Sequence, residues 1–113
     1  MECIMGINAF TRTGNTITFT AATTAPTPVQ CPSTTLGGNQ YRIINSGTVV
    51  VFLGYGTTSS EASNNATVIT TTGLSLPLLP NTDEILSFVP NAYFTAITAS
   101  GTASIYITPG DGL

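Results

Sequence analysis

Residues 40–56, QYRIINSGTVVVFLGYG, constrain the fold of this chain more than any other stretch. Residues 41–44 are aromatic and β-branched, and residues 49–53 form an unbroken apolar run, so both segments have high strand propensity. Between them, residues 45–48 (NSGT) supply turn chemistry, because Asn and Gly tolerate a positive φ. The stretch therefore predicts a β-hairpin, with Gly47 in the left-handed region.

The rest of the chain predicts further short strands and no long helix. Residues 16–21 alternate threonine with Ile, Phe and Ala, the period of two that is typical of a strand with one solvent-exposed face. Residues 85–89, 93–98 and 103–108 predict three more strands, and a Ser-Gly turn at residues 100–101 predicts a closing hairpin. Seven or eight strands at turn spacings of about 8 to 12 residues indicate an all-β sandwich. A jelly roll is the first choice, and an immunoglobulin-like sandwich is the alternative.

The segments between these strands are less regular. Residues 25–32 (APTPVQCP) contain three prolines and predict a loop or an interrupted edge strand. Residues 74–79 are apolar with an internal proline, which places them on a sheet edge or in a covering segment. Residues 57–72 predict a long polar surface loop with at most one short strand, over residues 67–70. Residues 1–12 are either an N-terminal arm or a first edge strand.

Length and charge limit the kinds of partner. The 113 residues suffice for a single domain, 1–113, and charged residues make up only 6% of them. There is no lysine, and the only cations are Arg12 and Arg42, so a basic footprint for nucleic acid or for an anionic membrane is excluded. Threonine accounts for 22 residues, which suits half-exposed strands.

So low a charge favours a protein that works inside an assembly, and we expect a dimer or trimer in solution. The alternative is a monomer that its hydroxyl groups keep soluble. No apolar run approaches the roughly 18 residues that a membrane span needs, and the N-terminus lacks the features of an export signal. Cys3 and Cys31 are expected to be reduced thiols, with a bridge between them as the alternative.

Chemical motifs are sparse. The chain has no histidine, which excludes Ser-His-Asp and Cys-His catalysis and removes the commonest metal ligand. Asp83 and Glu84 would point to opposite faces of an extended chain, so they are expected to be solvated turn residues and not a catalytic pair. Asp111 lies between two glycines and is a candidate cation ligand, although a lone acidic residue is more often solvated. We expect no enzyme activity and no catalytic, cofactor-binding or metal-binding residue.

Glycines and tyrosines give two weaker signals. Gly54 and Gly56 do not precede a predicted helix, so they indicate strand ends and not a phosphate loop. Four tyrosines would form a sugar-stacking platform if one face exposed them all, but core or interface positions are expected for most. These tyrosines are Tyr41, Tyr55, Tyr93 and Tyr106.

Three segments together carry a resemblance: residues 42–62, 76–88 and 92–112. They show a strand ending in an Asn-x-Gly turn, a strand ending in aromatic-Gly, and an apolar segment flanked by proline. A further strand, a Ser-Gly-Thr hairpin and a closing Pro-Gly-acid-Gly complete the pattern. This pattern resembles that of small capsid cement, or decoration, proteins of tailed bacteriophages.

The resemblance implies a β-sandwich, often a jelly roll, made in the bacterial host cytoplasm and located on the virion surface. Such a protein docks on the outside of the phage head and staples neighbouring subunits of the major capsid protein. Its capsid-facing candidates are residues 25–32, residues 57–72 and the arm of residues 1–12, since loops carry contacts. The alternatives are a carbohydrate- or receptor-binding module on a phage particle, or a small structural protein of the tail.

Overall fold

A computed structural model of the chain describes residues 10–32 and 40–112. This part contains nine strands and one short helix. In chain order they are β1 (Phe10–Arg12), β2 (Ile17–Ala21), β3 (Val29–Gln30), β4 (Gln40–Asn45), β5 (Val51–Gly56), α1 (Ser59–Asn65), β6 (Leu76–Leu78), β7 (Thr82–Ser87), β8 (Tyr93–Thr98) and β9 (Ala103–Gly112).

The strands form two antiparallel sheets. Sheet A has the order β1-β9-β4-β7, with β2 also paired to β9, and sheet B has the order β3-β8-β5-β6. The pairs are nested, because β2 pairs with β9, β3 with β8, β4 with β7 and β5 with β6. The chain is thus one long antiparallel ribbon, closed at β5-α1-β6 and folded over into two sheets, which is the jelly-roll topology. The predicted all-β sandwich is confirmed.

The core lies between the two sheets. In β2, Phe19 and Ala21 point inward while Thr18 and Thr20 are exposed, so the predicted alternation is confirmed. Tyr41 is fully buried, and its hydroxyl donates to the Val89 carbonyl at 2.6 Å. Burial of each large side chain contributes about 1.5–3 kcal/mol. The core comprises Phe19, Ala21, Cys31, Tyr41, Ile43, Val51, Leu53, Leu78, Ala92, Phe94, Ala96, Ala103, Ile105 and Ile107.

Neither predicted hairpin forms. Strand β4 belongs to sheet A and β5 to sheet B, so residues 40–56 make an arch between the sheets. Strands β8 and β9 are separated in the same way, with the turn at residues 100–101 between them. The physical reason is that β4 and β5 each bury one face. An arch places those faces opposite each other across the core, whereas a hairpin would place them side by side.

Asn45 organises the first corner, the turn of residues 46–50 that connects β4 to β5. Its side chain is fully buried, and Nδ2 donates to the carbonyls of Val49 at 3.0 Å and Leu78 at 3.1 Å. Its Oδ1 accepts the Gly47 N–H at 3.0 Å. Because Leu78 belongs to β6 in sheet B, this one side chain ties the end of a sheet A strand to the corner and to the opposite sheet.

The expected positive φ at Gly47 is wrong, because among the described glycines it occurs at Gly101, at 77°. Gly47 is needed for a different reason. A Cβ built there would lie 2.3 Å from the Ala103 Cβ, far inside van der Waals contact. Glycine therefore lets the first corner pack against the start of β9.

The remaining segments agree in part with expectation. Residues 25–32 contain β3, an interrupted edge strand of sheet B, and residues 74–79 contain β6, its other edge. Residues 57–72 contain α1, which was not predicted, and no strand forms over residues 67–70. Of residues 1–12, the last three form β1 at an edge of sheet A, and the first nine lie outside the described residues. No helix in the described chain is long and apolar enough to cross a membrane.

Replacing Asn45 with alanine should lower the free energy of unfolding by about 2–4 kcal/mol, since it removes one buried and two partly buried hydrogen bonds. Urea titration followed by circular dichroism measures this. Asn15→Ala, at an exposed turn position, is the matched control and should change little. Equal stability of the two variants would contradict the role given to Asn45.

Substitutions at the two corner glycines should separate steric crowding from backbone strain. Gly47→Ala and Gly47→Asn should both destabilise by about 1–3 kcal/mol, because any Cβ meets Ala103. At Gly101, Asn should be better tolerated than Val, since Asn adopts a positive φ more readily than a β-branched residue. Melting temperatures of the four variants test this, and a wild-type value for Gly47→Asn would refute the crowding at Ala103.

Candidate binding surfaces

The outer face of sheet B is covered in part by the chain's own segments. Gly54 in β5 lies directly opposite Thr95 in β8. A Cβ at Gly54 would lie 2.5 Å from the Ala62 carbonyl oxygen and the Ala66 nitrogen, so the α1 backbone lies directly on this glycine. The buried Thr95 hydroxyl donates to the Pro26 carbonyl at 2.7 Å. The proline-rich segment and α1 therefore lie side by side on this face.

Helix α1 begins with reciprocal hydrogen bonds. Thr58 is its N-cap, and Oγ1 accepts the Glu61 N–H at 3.2 Å. Glu61 Oε1 in turn accepts the Thr57 N–H at 2.8 Å and the Thr57 hydroxyl at 2.9 Å. The backbone hydrogen bond from Thr57, and then its hydroxyl, hold the pKa of Glu61 below its ordinary value. The Thr-x-x-Glu spacing is close to the capping box, and it is the signal that would have predicted this helix.

Apolar side chains occupy the outer face of sheet B next to α1. Phe52 in β5 lies between Pro77 in β6 and Ile97 in β8, in one row across three strands. Phe52 and Ile97 are half-buried and Pro77 is exposed. Leu79, directly after β6, is 62% exposed. This side of the molecule therefore combines an apolar row, a helix and a proline-rich segment.

The outer face of sheet A is rich in hydroxyl groups. Thr16, Thr18 and Thr20 are exposed along one edge, and the hydroxyls of Thr16 and Thr108 lie 2.7 Å apart. Tyr106 in β9 is 41% exposed among them. The helix contacts β5 and β8 of sheet B and therefore lies on the opposite side of the sandwich.

An ion pair crosses the other half of this face. Arg42 Nε in β4 donates to Asp83 Oδ2 in β7 at 3.0 Å, and both side chains are about half exposed, 49% and 50%. Such an exposed pair contributes at most about 1 kcal/mol to stability. Ile44 lies opposite Asp83, and Ile85, 51% exposed, lies opposite Arg42. Charged and apolar side chains thus alternate on this part of the face.

The acidic residues singled out in the sequence do not converge. Asp83 and Glu84 lie inside β7, so the expectation of a turn is wrong. Asp111 lies in β9, and its side chain is outside what the structure describes. Among the described residues, no group of three His, Cys, Asp or Glu side chains is placed to hold a metal ion.

Cys31 is a free thiol inside the core, and its Sγ donates to the Ile107 carbonyl at 3.8 Å. Burial raises the pKa of the Cys31 thiol to about 12, because desolvation disfavours the thiolate. Cys3 lies outside the described residues.

The tyrosines and the glycine pair have separate roles. Tyr41 belongs to the core, and the Tyr55 ring packs edge-on against Phe88 with 4.9 Å between centroids. Tyr93 is half-buried in sheet B and Tyr106 lies on sheet A, so the four rings do not form one platform. Gly56 ends β5, as predicted, while Gly54 lies inside that strand and admits α1.

No protein-family model, no curated protein and no solved structure matches this chain. Its function must therefore be argued from the surfaces themselves. The features that bear most on function are the two outer faces of the sandwich: the apolar row and α1 on sheet B, and the hydroxyl groups and ion pair on sheet A.

The Cys31 thiol should be unreactive toward a disulfide reagent in the folded protein at pH 8, because the thiolate is the nucleophile and burial suppresses it. A Cys3→Ser variant isolates this thiol, and absorbance reports the reaction. The same variant should react fully in denaturant. Since only the unfolded thiol ionises between pH 9 and about 12, this residue should also lower stability as the pH rises through that range. Rapid reaction of the folded variant would contradict its burial.

Proposed function

We propose that this protein is a structural virion protein, a capsid cement that binds the outside of a phage head and staples neighbouring major capsid subunits. One observation carries the proposal: a chain with only seven charged residues exposes large apolar side chains, including Ile85 and Tyr106 on sheet A and Leu79 directly after β6. Such side chains mark surfaces for other proteins when they lie together. The exposed set is Val50, Leu74, Leu79, Ile85, Val89 and Tyr106.

The nested strand pairing suits a staple. Contacts between strands far apart in sequence join β1 and β2 to β9, and Thr16 and Thr108, 92 residues apart, meet on one sheet face. A body of this kind holds its surface groups in fixed positions, so binding orders few new residues. No reaction is needed for the role, and the resemblance in residues 42–62, 76–88 and 92–112 points the same way.

The outer face of sheet B is the capsid-facing surface in this proposal. Two of the three candidate segments, residues 25–32 and the loop that contains α1, lie side by side there through Thr95 and Gly54. The row of Pro77, Phe52 and Ile97 extends the same face. A standard interface buries about 1,600 Å² in total, and its centre is poor in charge, as this face is.

A carbohydrate- or receptor-binding module on a phage particle is the second candidate. Exposed Tyr106 on a flat sheet face favours it, because an aromatic face can stack on a sugar ring. A small structural protein of the tail would use the same fold at another location.

Removing this protein should leave capsid assembly intact and weaken the mature particles, because a staple adds contacts to a closed shell. The particles should burst at a lower temperature, and purified protein should restore the wild-type value. Pro77→Asp, which places a charge in the apolar row, should bind undecorated shells at least tenfold more weakly. Thr20→Asp, at an exposed position on sheet A, is the control and should bind normally.

Electron microscopy and co-sedimentation with shells measure this binding. If the full chain binds no cognate shell, the cement function is wrong and the receptor-binding module takes its place.

A further inference from the structure

Four side chains on the outer face of sheet A form a pattern of their own. Arg42 and Ile44 belong to β4, and Asp83 and Ile85 belong to β7. Ile44 lies opposite Asp83, and Arg42 lies opposite Ile85. Partners across two strands are about 5 Å apart and neighbours on one face of a strand about 7 Å apart, so the four occupy the corners of a rectangular cell. One diagonal carries two opposite charges and the other carries two isoleucines.

We propose that this face binds a second copy of the chain, sheet A against sheet A, with a twofold axis along the Ile44–Ile85 diagonal. Rotation about that axis places each isoleucine over its own copy. It brings each end of the other diagonal to within about 3 Å of the opposite end's position, a distance that the long Arg42 side chain spans, so Arg42 faces Asp83 of the second copy and Asp83 faces its Arg42. The cell is therefore self-complementary, as a twofold interface requires.

The charges select this axis among those that such a cell permits. An axis along the Arg42–Asp83 diagonal stacks each charge on its own copy and is repulsive. An axis parallel or perpendicular to the strands places each charge on an isoleucine, which buries the charge without a counterion. Only the Ile44–Ile85 diagonal satisfies both the charges and the apolar side chains.

The surroundings of the cell permit close approach. Tyr106 lies opposite Ile44 on the next strand and is 41% exposed, so it extends the apolar centre. Beyond it, Thr18 lies opposite Tyr106 and adds a small uncharged rim. Two sheets that pack face to face lie about 10 Å apart, which side chains of this size fill. The dimer leaves sheet B free, so dimerisation and capsid binding use different faces and can be tested separately.

The test uses two single substitutions in the full chain. Arg42→Asp places two carboxylates in the cell, and Asp83→Arg places two guanidinium groups there. Each variant should dimerise at least tenfold more weakly than the wild type, measured by sedimentation equilibrium. A 1:1 mixture should restore the dimer as a heterodimer, because the acidic cell of one variant complements the basic cell of the other. The ion pair within each chain stays broken in the mixture, so only the contact between copies explains the recovery.

Pro77→Asp on sheet B is the control and should leave the dimer unchanged, while circular dichroism should show both charge variants folded. A monomeric wild type would overturn the proposal, as would undiminished dimers of both single variants. A mixture that stays monomeric would also overturn it. Shell binding, measured separately, reports on the capsid function.

Discussion

The arrangement depends on the buried side chain of Asn45. Where β4 leaves sheet A, the backbone turns through exposed and half-buried residues, and the polar groups that a hairpin ladder would pair need other partners. The Asn45 amide supplies three hydrogen bonds, two to carbonyls and one from an N–H. Because buried polar groups are costly when unpaired, this side chain lets the chain cross from one sheet to the other. The arch at β4-β5 and the nested ribbon follow from that crossing.

A second corner, the turn of residues 99–102 that connects β8 to β9, packs against the first. Gly47 approaches Ala103 at the start of β9, and the backbone N–H of Ser46 donates to the Ser104 carbonyl at 3.1 Å. The Thr98 hydroxyl donates to the Gly101 carbonyl at 2.7 Å and holds that second corner closed. Glycine at position 47 therefore serves close packing between corners and not an unusual backbone conformation. The two turns stabilise each other, although the Ser46 and Ser104 that join them lie 58 positions apart in the sequence.

The two outer faces of the sandwich differ because, within residues 10–32 and 40–112, α1 and the proline-rich segment lie on one of them. On sheet B, Gly54 contacts the α1 backbone and Thr95 binds the proline-rich segment, so both segments project from that face beside its apolar side chains. The outer face of sheet A exposes threonine hydroxyls, with Tyr106 and the cell of Arg42, Ile44, Asp83 and Ile85 at its centre. A small body with two unlike faces can bind a shell on one side and its own copy on the other. Low charge suits both contacts, since few groups must be desolvated.

The sequence by itself determined the all-β class and most of the strands. The alternation in β2, the prolines that confine β3 and β6 to edges, and the bounds of β8 were all predictable from local chemistry. Helix α1 was also encoded locally, in the Thr58 and Glu61 spacing, but was not predicted. Tertiary structure alone decided which strands pair. Both segments that were expected to form hairpins therefore form arches between the sheets, and Asp83, expected in a turn, lies inside β7. The physical reason is that alternation gives each strand one buried face and does not specify its neighbour. That choice depends on filling a core between two sheets, and it brought Arg42, Ile44, Asp83 and Ile85 together.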